Sequence, residues 1–236
     1  MDVDNTCWTK SHFIPSVIDN LADKDTIKDK LTIDKKKLLV VEGPDAYWFS
    51  IWACREFGVE GIQVLDFGGI RQLRQYLKTL PLVTGYNDVG VETIVIARDA
   101  ETDQNAAIAS VKGALKDAGF AVPASPLEFT NGAPRTAYYL FSQSSETSTS
   151  PQPGTLEDLC LDTIDDPDVL GCVDRYLECL KAESRNTPRL HKSRLHAYLS
   201  GKDEFVGMKI GEAAKANAWN WNHDRLKQYK QLIMDM

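Results

Sequence analysis

The chain of 236 residues lacks any long apolar run. Its longest apolar stretches, such as Leu38 to Val41 and Ile94 to Ala97, are strand-sized, far below the ~20 apolar residues that a membrane-crossing helix needs. The opening MDVDNTCWTK carries two acids and no apolar centre. No secretory signal is therefore legible, and a cytoplasmic location without membrane attachment is expected. Cysteine is sparse: Cys7, Cys54, Cys160, Cys172 and Cys179 make an odd set without C-x-x-C spacing. That argues against a disulfide framework or a zinc site and for reduced thiols. Positive charge is in deficit, with 27 Lys and Arg against 34 Asp and Glu and a net charge of −7. A passive nucleic-acid coat, usually basic overall, is thereby disfavoured. An enzyme that meets phosphate through carboxylate-bound metal is not. No G-x-x-x-x-G-K-[ST] loop is present, so any ATPase function would need a separate chain. The four histidines form no metal pattern, and no Ser-His-Asp or Cys-His arrangement is legible.

What is there is an ordinary globular composition, 43% hydrophobic and 26% charged, which excludes collagen-like and fully disordered chains. Residues 1–36 are polar and charge-rich and read as a solvated arm. From Lys37 a regular alternation begins. KLLVV (Lys37 to Val41) reads as a buried strand. Asp45 can cap a helix with Ala46, Phe49, Ala53 and Phe57 inward, stopped by Gly58. IQVLD (Ile62 to Asp66) is the next strand, followed after Gly68-Gly69 by a helix with Ile70, Leu73, Leu77 and Leu80 inward, ended by Pro81. ETIVIA (Glu92 to Ala97) is the third strand. Asp103 can cap a helix burying Ile108, Val111, Leu115 and Ala118, stopped by Gly119, and YYLFS (Tyr138 to Ser142) is the fourth strand.

This alternation predicts an α/β fold with a mostly parallel sheet covered by helices. Right-handed crossovers would bring the strand C-terminal ends to one edge, where sites of open sheets lie. A Ser/Thr/Pro-rich stretch from Ser142 to Gly154 marks a boundary or surface loop. The expected organisation is a core over 37–150 and a helical C-terminal extension over 151–236 packed on it. Its helices are predicted over Leu156 to Ile164, Asp168 to Ala182, Leu190 to Leu199, Glu212 to Ala218 and Asp224 to Met234.

Acids fall where strands meet loops. Glu42 follows the first strand, Asp66 ends the second, and Asp99, Glu101 and Asp103 follow the third, with Arg98 just before them. In a parallel sheet Glu42 and the Asp99–Asp103 cluster converge on one edge. Clustered carboxylates repel and are costly unless a cation neutralises them. Mg²⁺ and Mn²⁺ prefer such hard oxygen ligands. Taken singly, each acid also has a plain structural reading, since Asp103 and Asp45 sit where helix caps belong.

VVEGPDAYWF (Val40 to Phe49) followed by IVIARDAETD (Ile94 to Asp103) resembles a Toprim domain, the metal-binding module of bacterial primases, topoisomerases, recombination factors and OLD-family nucleases. FGGIRQL (Phe67 to Leu73) and GTLEDL (Gly154 to Leu159) resemble more closely a small stand-alone Toprim-like group related to OLD nucleases. The resemblance implies a Toprim-like Rossmannoid sheet and metal-dependent phosphodiester hydrolysis of DNA or RNA. It implies that Asp99, Glu101 and Asp103 hold Mg²⁺ or Mn²⁺, and that Glu42 holds metal or acts as general acid/base. Glu157, with Asp158 beside it, would serve a second ion, and two ions ~4 Å apart would stabilise both the attacking and the leaving oxygen. It also implies a separate ATPase partner in antiphage or repair systems, and self-association into a homo-oligomer is compatible with it. Two positions depart from the family pattern. Ala46 stands where relatives carry a further acid, and Arg98 stands where a small or apolar residue is commoner and offers an acid a salt-bridge partner. A catalytically silent module that binds nucleic acid or protein is therefore the alternative.

A basic segment supplies a complement. Between Lys181 and Lys209 the chain carries a local excess of four positive charges, with His191 and His196 in the same stretch. Arg185, Arg189, Lys192 and Arg194 are the expected nucleic-acid contacts, and Lys192 is the candidate for transition-state charge stabilisation. Trp219 and Trp221 read as packing of the C-terminal helix rather than as a base-stacking platform.

Overall fold

A computed structural model describes residues 11–12, 31–142, 153–183 and 190–236. Its centre is a five-stranded parallel sheet formed by β1 (Ser11–His12), β2 (Lys37–Val41), β3 (Ile62–Asp66), β4 (Thr93–Asp99) and β5 (Arg135–Phe141), in the order β1-β3-β2-β4-β5. Nearly every residue of the four long strands is buried. That explains why they read as continuous apolar runs: a parallel sheet is covered on both faces. The fourth strand starts three residues before its expected position. Its early polar residue, Thr136, is tolerated inside because its hydroxyl donates to the Ala121 carbonyl at 2.7 Å. The third strand runs two residues past Ala97, so Arg98 and Asp99 belong to the sheet itself.

Side-chain alternation divides the core in two. Leu38, Val40, Leu65, Ile94, Ile96, Tyr138 and Leu140 face one layer, built mainly from α2 (Leu73–Thr79), the short α3 (Tyr86–Val89) and α4 (Gln104–Asp117). Leu39, Val41, Val64, Val95, Ala97, Ala137, Tyr139 and Phe141 face the other. That layer holds α1 (Gly43–Glu56) and the C-terminal helices. Asp103 caps α4 as expected, accepting from the Ala106 amide at 3.0 Å. Ile70 is 44% exposed rather than inward, because the Gly68-Gly69 turn delays the start of α2 to Leu73. Helix α1 begins at Gly43, before the expected cap at Asp45. Glu42 is its N-cap residue, and Pro44 sits in the first turn, where its missing N–H costs nothing.

The C-terminal part forms α5 (Leu156–Asp162), α6 (Pro167–Ala182), α7 (Leu190–Ser200), α8 (Ile210–Lys215) and α9 (Lys227–Met234). These helices share one apolar cluster with α1 and the sheet. Its centre is aromatic: Phe49 lies 5.3 Å from Trp221 and 6.2 Å from Tyr229 between ring centroids. The Tyr229 hydroxyl meets the Ser50 hydroxyl at 2.7 Å. Trp219 and Trp221 are both buried in this cluster. Among the described residues no helix is long and apolar enough to cross a membrane.

The segment expected as a polar arm does more than solvate the surface. Ile33 is buried and its amide donates to the Thr84 carbonyl at 2.8 Å. Gln63, buried inside β3, donates to the Thr32 carbonyl at 2.8 Å and accepts from the Asp34 amide at 3.0 Å. Ser11–His12 adds the rim strand beside β3.

Asp66, at the end of β3, fixes the edge on which β2 also ends. Its Oδ1 accepts from the Gly43 amide at 2.8 Å and the Gly68 amide at 2.7 Å. Both glycines take positive φ, +80° and +83°, which suits Gly and strains other residues. One carboxylate thus holds the turn into α1 and its own exit turn. Asp66→Ala should cost about 1–3 kcal/mol, the scale of leaving part-buried donors unmet, read as a lower urea midpoint at unchanged slope.

Candidate functional site

The strand order creates a switch point. From β2 the chain passes to β3 on one side, and β4 then lies against the opposite side of β2. Connections leaving in opposite directions open a crevice beyond the strand ends, the usual binding position of open α/β sheets. Glu42 directly follows β2 and Asp99 ends β4 at this edge. The Glu42 amide donates to the Ala97 carbonyl at 3.1 Å, continuing the ladder one step.

Register decides which neighbours these acids meet. Val41 pairs with Ala97, so Glu42 lies beside Arg98. Their side chains form an ion pair, Arg98 Nε to Glu42 Oε2 at 3.3 Å. Arg98 is completely buried. Its Nε also donates to the Asp99 carbonyl at 3.1 Å, and Nη1 reaches Ser110 Oγ at 3.4 Å. Its Nη2 and the Glu42 Oε2 have no hydrogen-bond partner; the 3.3 Å contact is an ionic approach without hydrogen-bond geometry. Burial pushes the Glu42 carboxyl up, the Arg98 charge works against that, and Glu101 adds to it.

Asp99 turns to the opposite layer. Its Oδ1 accepts from the Leu156 amide at 2.8 Å, at the first turn of α5. Burial pushes its carboxyl up to about 8, the Leu156 amide opposes this, and Glu157, Glu42 and Glu101 push it further. Three carboxylates thus act on one half-buried acid. Glu157 is itself buried and bonded to Lys192 Nζ at 2.8 Å. Burial alone would raise Glu157, but Lys192 and the Thr155 hydroxyl hold it below its ordinary value. Burial disfavours the Lys192 ammonium, yet Glu157, Asp99 and Asp45 raise it above the usual lysine range.

Asp45 belongs to the same neighbourhood, a site role that the sequence reading did not give it. Burial raises it, Glu157 raises it further, and Lys192, His196 and Lys209 oppose.

Asp103 and Asp158, also expected as ligands, are engaged as helix caps. Asp103 is exposed and caps its own helix. Asp158 completes a capping box, accepting from the Thr155 amide at 2.9 Å and its hydroxyl at 3.0 Å. Glu101 is exposed and held at φ +57° by paired backbone bonds with Gly154, both 2.8 Å. Three residues of the basic segment, Lys192, Arg194 and Lys202, are paired with acids. Arg194 grips Asp174 through two bonds of 2.7 and 2.8 Å, tying α7 to α6, and Lys202 pairs with Asp166 at 2.7 Å. Arg185 and Arg189 lie outside the described residues. Among the described residues, no three His, Cys, Asp or Glu side chains stand together in a geometry that could hold a metal ion. The donor chemistry around Asp99 nevertheless suits a hard cation, being all oxygen and carrying mutual repulsion that a cation would relieve.

The raised Asp99 carboxyl has a consequence for stability. Its folded value, about 8, exceeds the 3.8 of an unperturbed aspartate. Between those values the native state keeps a proton that the unfolded chain releases, so stability falls as pH rises through that window. Glu42 and Asp45 tilt the same way. In chelator, the melting temperature should decline from pH 5 to pH 8, and Asp99→Asn should flatten the decline.

A family model described as a protein of unknown function, DUF3226, matches residues 36–235. No curated protein and no solved structure matches the chain. The matched stretch takes in β2 to β5, the acidic crevice and all the C-terminal helices, and the chain accordingly belongs to the DUF3226 family.

Proposed function

We propose that this chain hydrolyses phosphodiester bonds of nucleic acid in a reaction that uses Mg²⁺ or Mn²⁺. The observation that supports it most is Asp99, a half-buried carboxyl at the switch point pushed to about 8 by desolvation and by Glu157, Glu42 and Glu101. Such an arrangement is costly as it stands and becomes favourable beside a cation. The likeness of VVEGPDAYWF and IVIARDAETD to Toprim motifs leads to the same chemistry.

Asp99, Glu101 and Glu157 are the residues that would hold the ion. When bound, the ion supplies an acidified water and neutralises charge on the phosphate. Glu42 serves as the base. Its carboxylate is 14% exposed at the crevice, and burial lifts its proton affinity toward working pH, which favours proton abstraction. Lys192, oriented by Glu157 at 2.8 Å, presents its ammonium to the charge that develops on phosphate oxygens. Since no Walker A loop is present, an ATPase partner, as the resemblance implies, would be another chain.

One observation favours a second reading, a silent binding module: Glu42 already has a cationic partner in Arg98. Incubation with plasmid and with total RNA in Mn²⁺ or Mg²⁺ separates the two. Cleavage should require the metal, and Asp99→Asn should lower it about 100-fold or more, the scale of losing a preorganised electrostatic group. Equal cleavage by Asp99→Asn, or none by the wild type while nucleic acid still binds, would sink the hydrolase.

A further inference from the structure

We infer that the outer face of α6 is a self-association surface: a second copy of this chain packs on it about a two-fold axis, α6 against α6 in antiparallel sense, with Asp168 of each copy meeting Arg175 of the other. The crevice at the strand ends has no part in it.

Spacing along the helix makes the face. Helix α6 has 16 residues, yet only Val173 and Leu177 are buried. Val169, Cys172, Tyr176 and Leu180 recur at intervals of three and four, so they share one side of the helix. None of these four is buried, and Tyr176 is 56% exposed. They line a groove of about 790 Å³ between α6 and α7. Leu190, at the start of α7, is as exposed as Tyr176. A contiguous apolar face of this kind on a folded protein marks a contact site.

Charge identifies the occupant. Asp168 and Arg175 are both exposed and stand seven residues apart, which puts them on one flank of the apolar stripe, two turns or about 10 Å from each other. Among the described residues neither forms an ion pair, and the Arg175 guanidinium donates only to the Cys172 thiol, at 3.0 Å. The charges nearest α7 are satisfied within the chain, Asp174 by Arg194 and Asp166 by Lys202. A two-fold axis midway between Asp168 and Arg175, beside Cys172, sets the acid of each copy opposite the arginine of the other, and does so twice. An isologous contact needs one patch that carries both halves of each interaction, and this patch carries them.

Shape agrees with the same axis. It brings Tyr176 of one copy level with the beginning of α6 in the other, close to Val169. There the groove is lined by Ala197, Ser200 and Gly201, all small, and Val169 Cγ1 lies 3.7 Å from where a side chain on Gly201 would begin. An exposed ring and a shallow recess thus occur on one surface at matching positions, and Tyr176 is the aromatic anchor of the contact.

Sedimentation equilibrium of the full chain tests this. The wild type should be dimeric at about 100 μM, well above a micromolar dissociation constant. Arg175→Asp and Asp168→Arg should each weaken the dimer about tenfold or more, because symmetry turns two attractions into two repulsions. The double variant Asp168→Arg/Arg175→Asp should regain it, which a merely damaged helix would not do. Tyr176→Ser should also weaken it about tenfold or more. In a Cys7→Ser background a short bismaleimide should join two copies through Cys172, and Cys172→Ser should abolish the link. The two Cys179 thiols would stand about 22 Å apart along the helices, so Cys179→Ser should leave the link unchanged. A wild type that stays monomeric at that concentration overturns the inference. So does a dimer that both charge variants leave intact, that the double variant fails to restore, or that the reagent joins through Cys179.

Discussion

Everything at the crevice follows from one constraint: β2 and β4 are neighbours in parallel register, and half-buried ionisable residues stand where both end. Main-chain pairing leaves no freedom to move Glu42 from Arg98 or Asp99 from the mouth of α5. Charges confined this way must find partners, change protonation or attract a cation. The protein shows the first two outcomes side by side. Glu42 and Glu157 have cations of the chain's own, Arg98 and Lys192. Asp99 has a backbone amide and a strongly raised proton affinity.

The helices beyond the sheet are part of this electrostatic design. Helix α5 brings the amide that meets Asp99 and carries Glu157, while α7 brings Lys192 to Glu157. Arg194 and Asp174 fasten α7 to α6, and the aromatic cluster around Phe49, Trp221 and Tyr229 seats α9 on α1. Among the described residues, part of the positive charge that looks like a binding patch in the sequence is thus used in positioning. Lys192 and Arg194 on α7 face acids on α5 and α6, and Lys202 pairs with Asp166, the residue that caps α6.

The fold was largely legible because its signals are local. KLLVV, IQVLD and TIVIA are runs that only a sheet covered on both faces can bury, and Ala46, Phe49, Ala53 and Phe57 mark the inner face of α1 by spacing alone. The crevice was legible only in outline. Strand-end acids could be read from position, but which acid is a ligand and which a cap depends on atoms supplied from afar. Asp103 and Asp158 resolve as caps through amides a few residues away. Asp99 meets an amide 57 residues downstream, a distance that no periodicity encodes. Asp45 was overlooked as a site residue because it fits a helix start equally well, and its coupling to Glu157 and Lys192 arises only when α5 and α7 pack.

The glutamine inside β3 bears on where this protein begins as a foldable object. Gln63 is buried and both donates to and accepts from the main chain at Thr32 and Asp34. Those residues precede the stretch that the family model matches, which opens at 36. A truncation made at that border would remove both bonds from an amide in the interior and strip β3 of its outer neighbour. Family likeness and physical independence therefore do not share a boundary here: the cooperative unit is longer than the recognisable one.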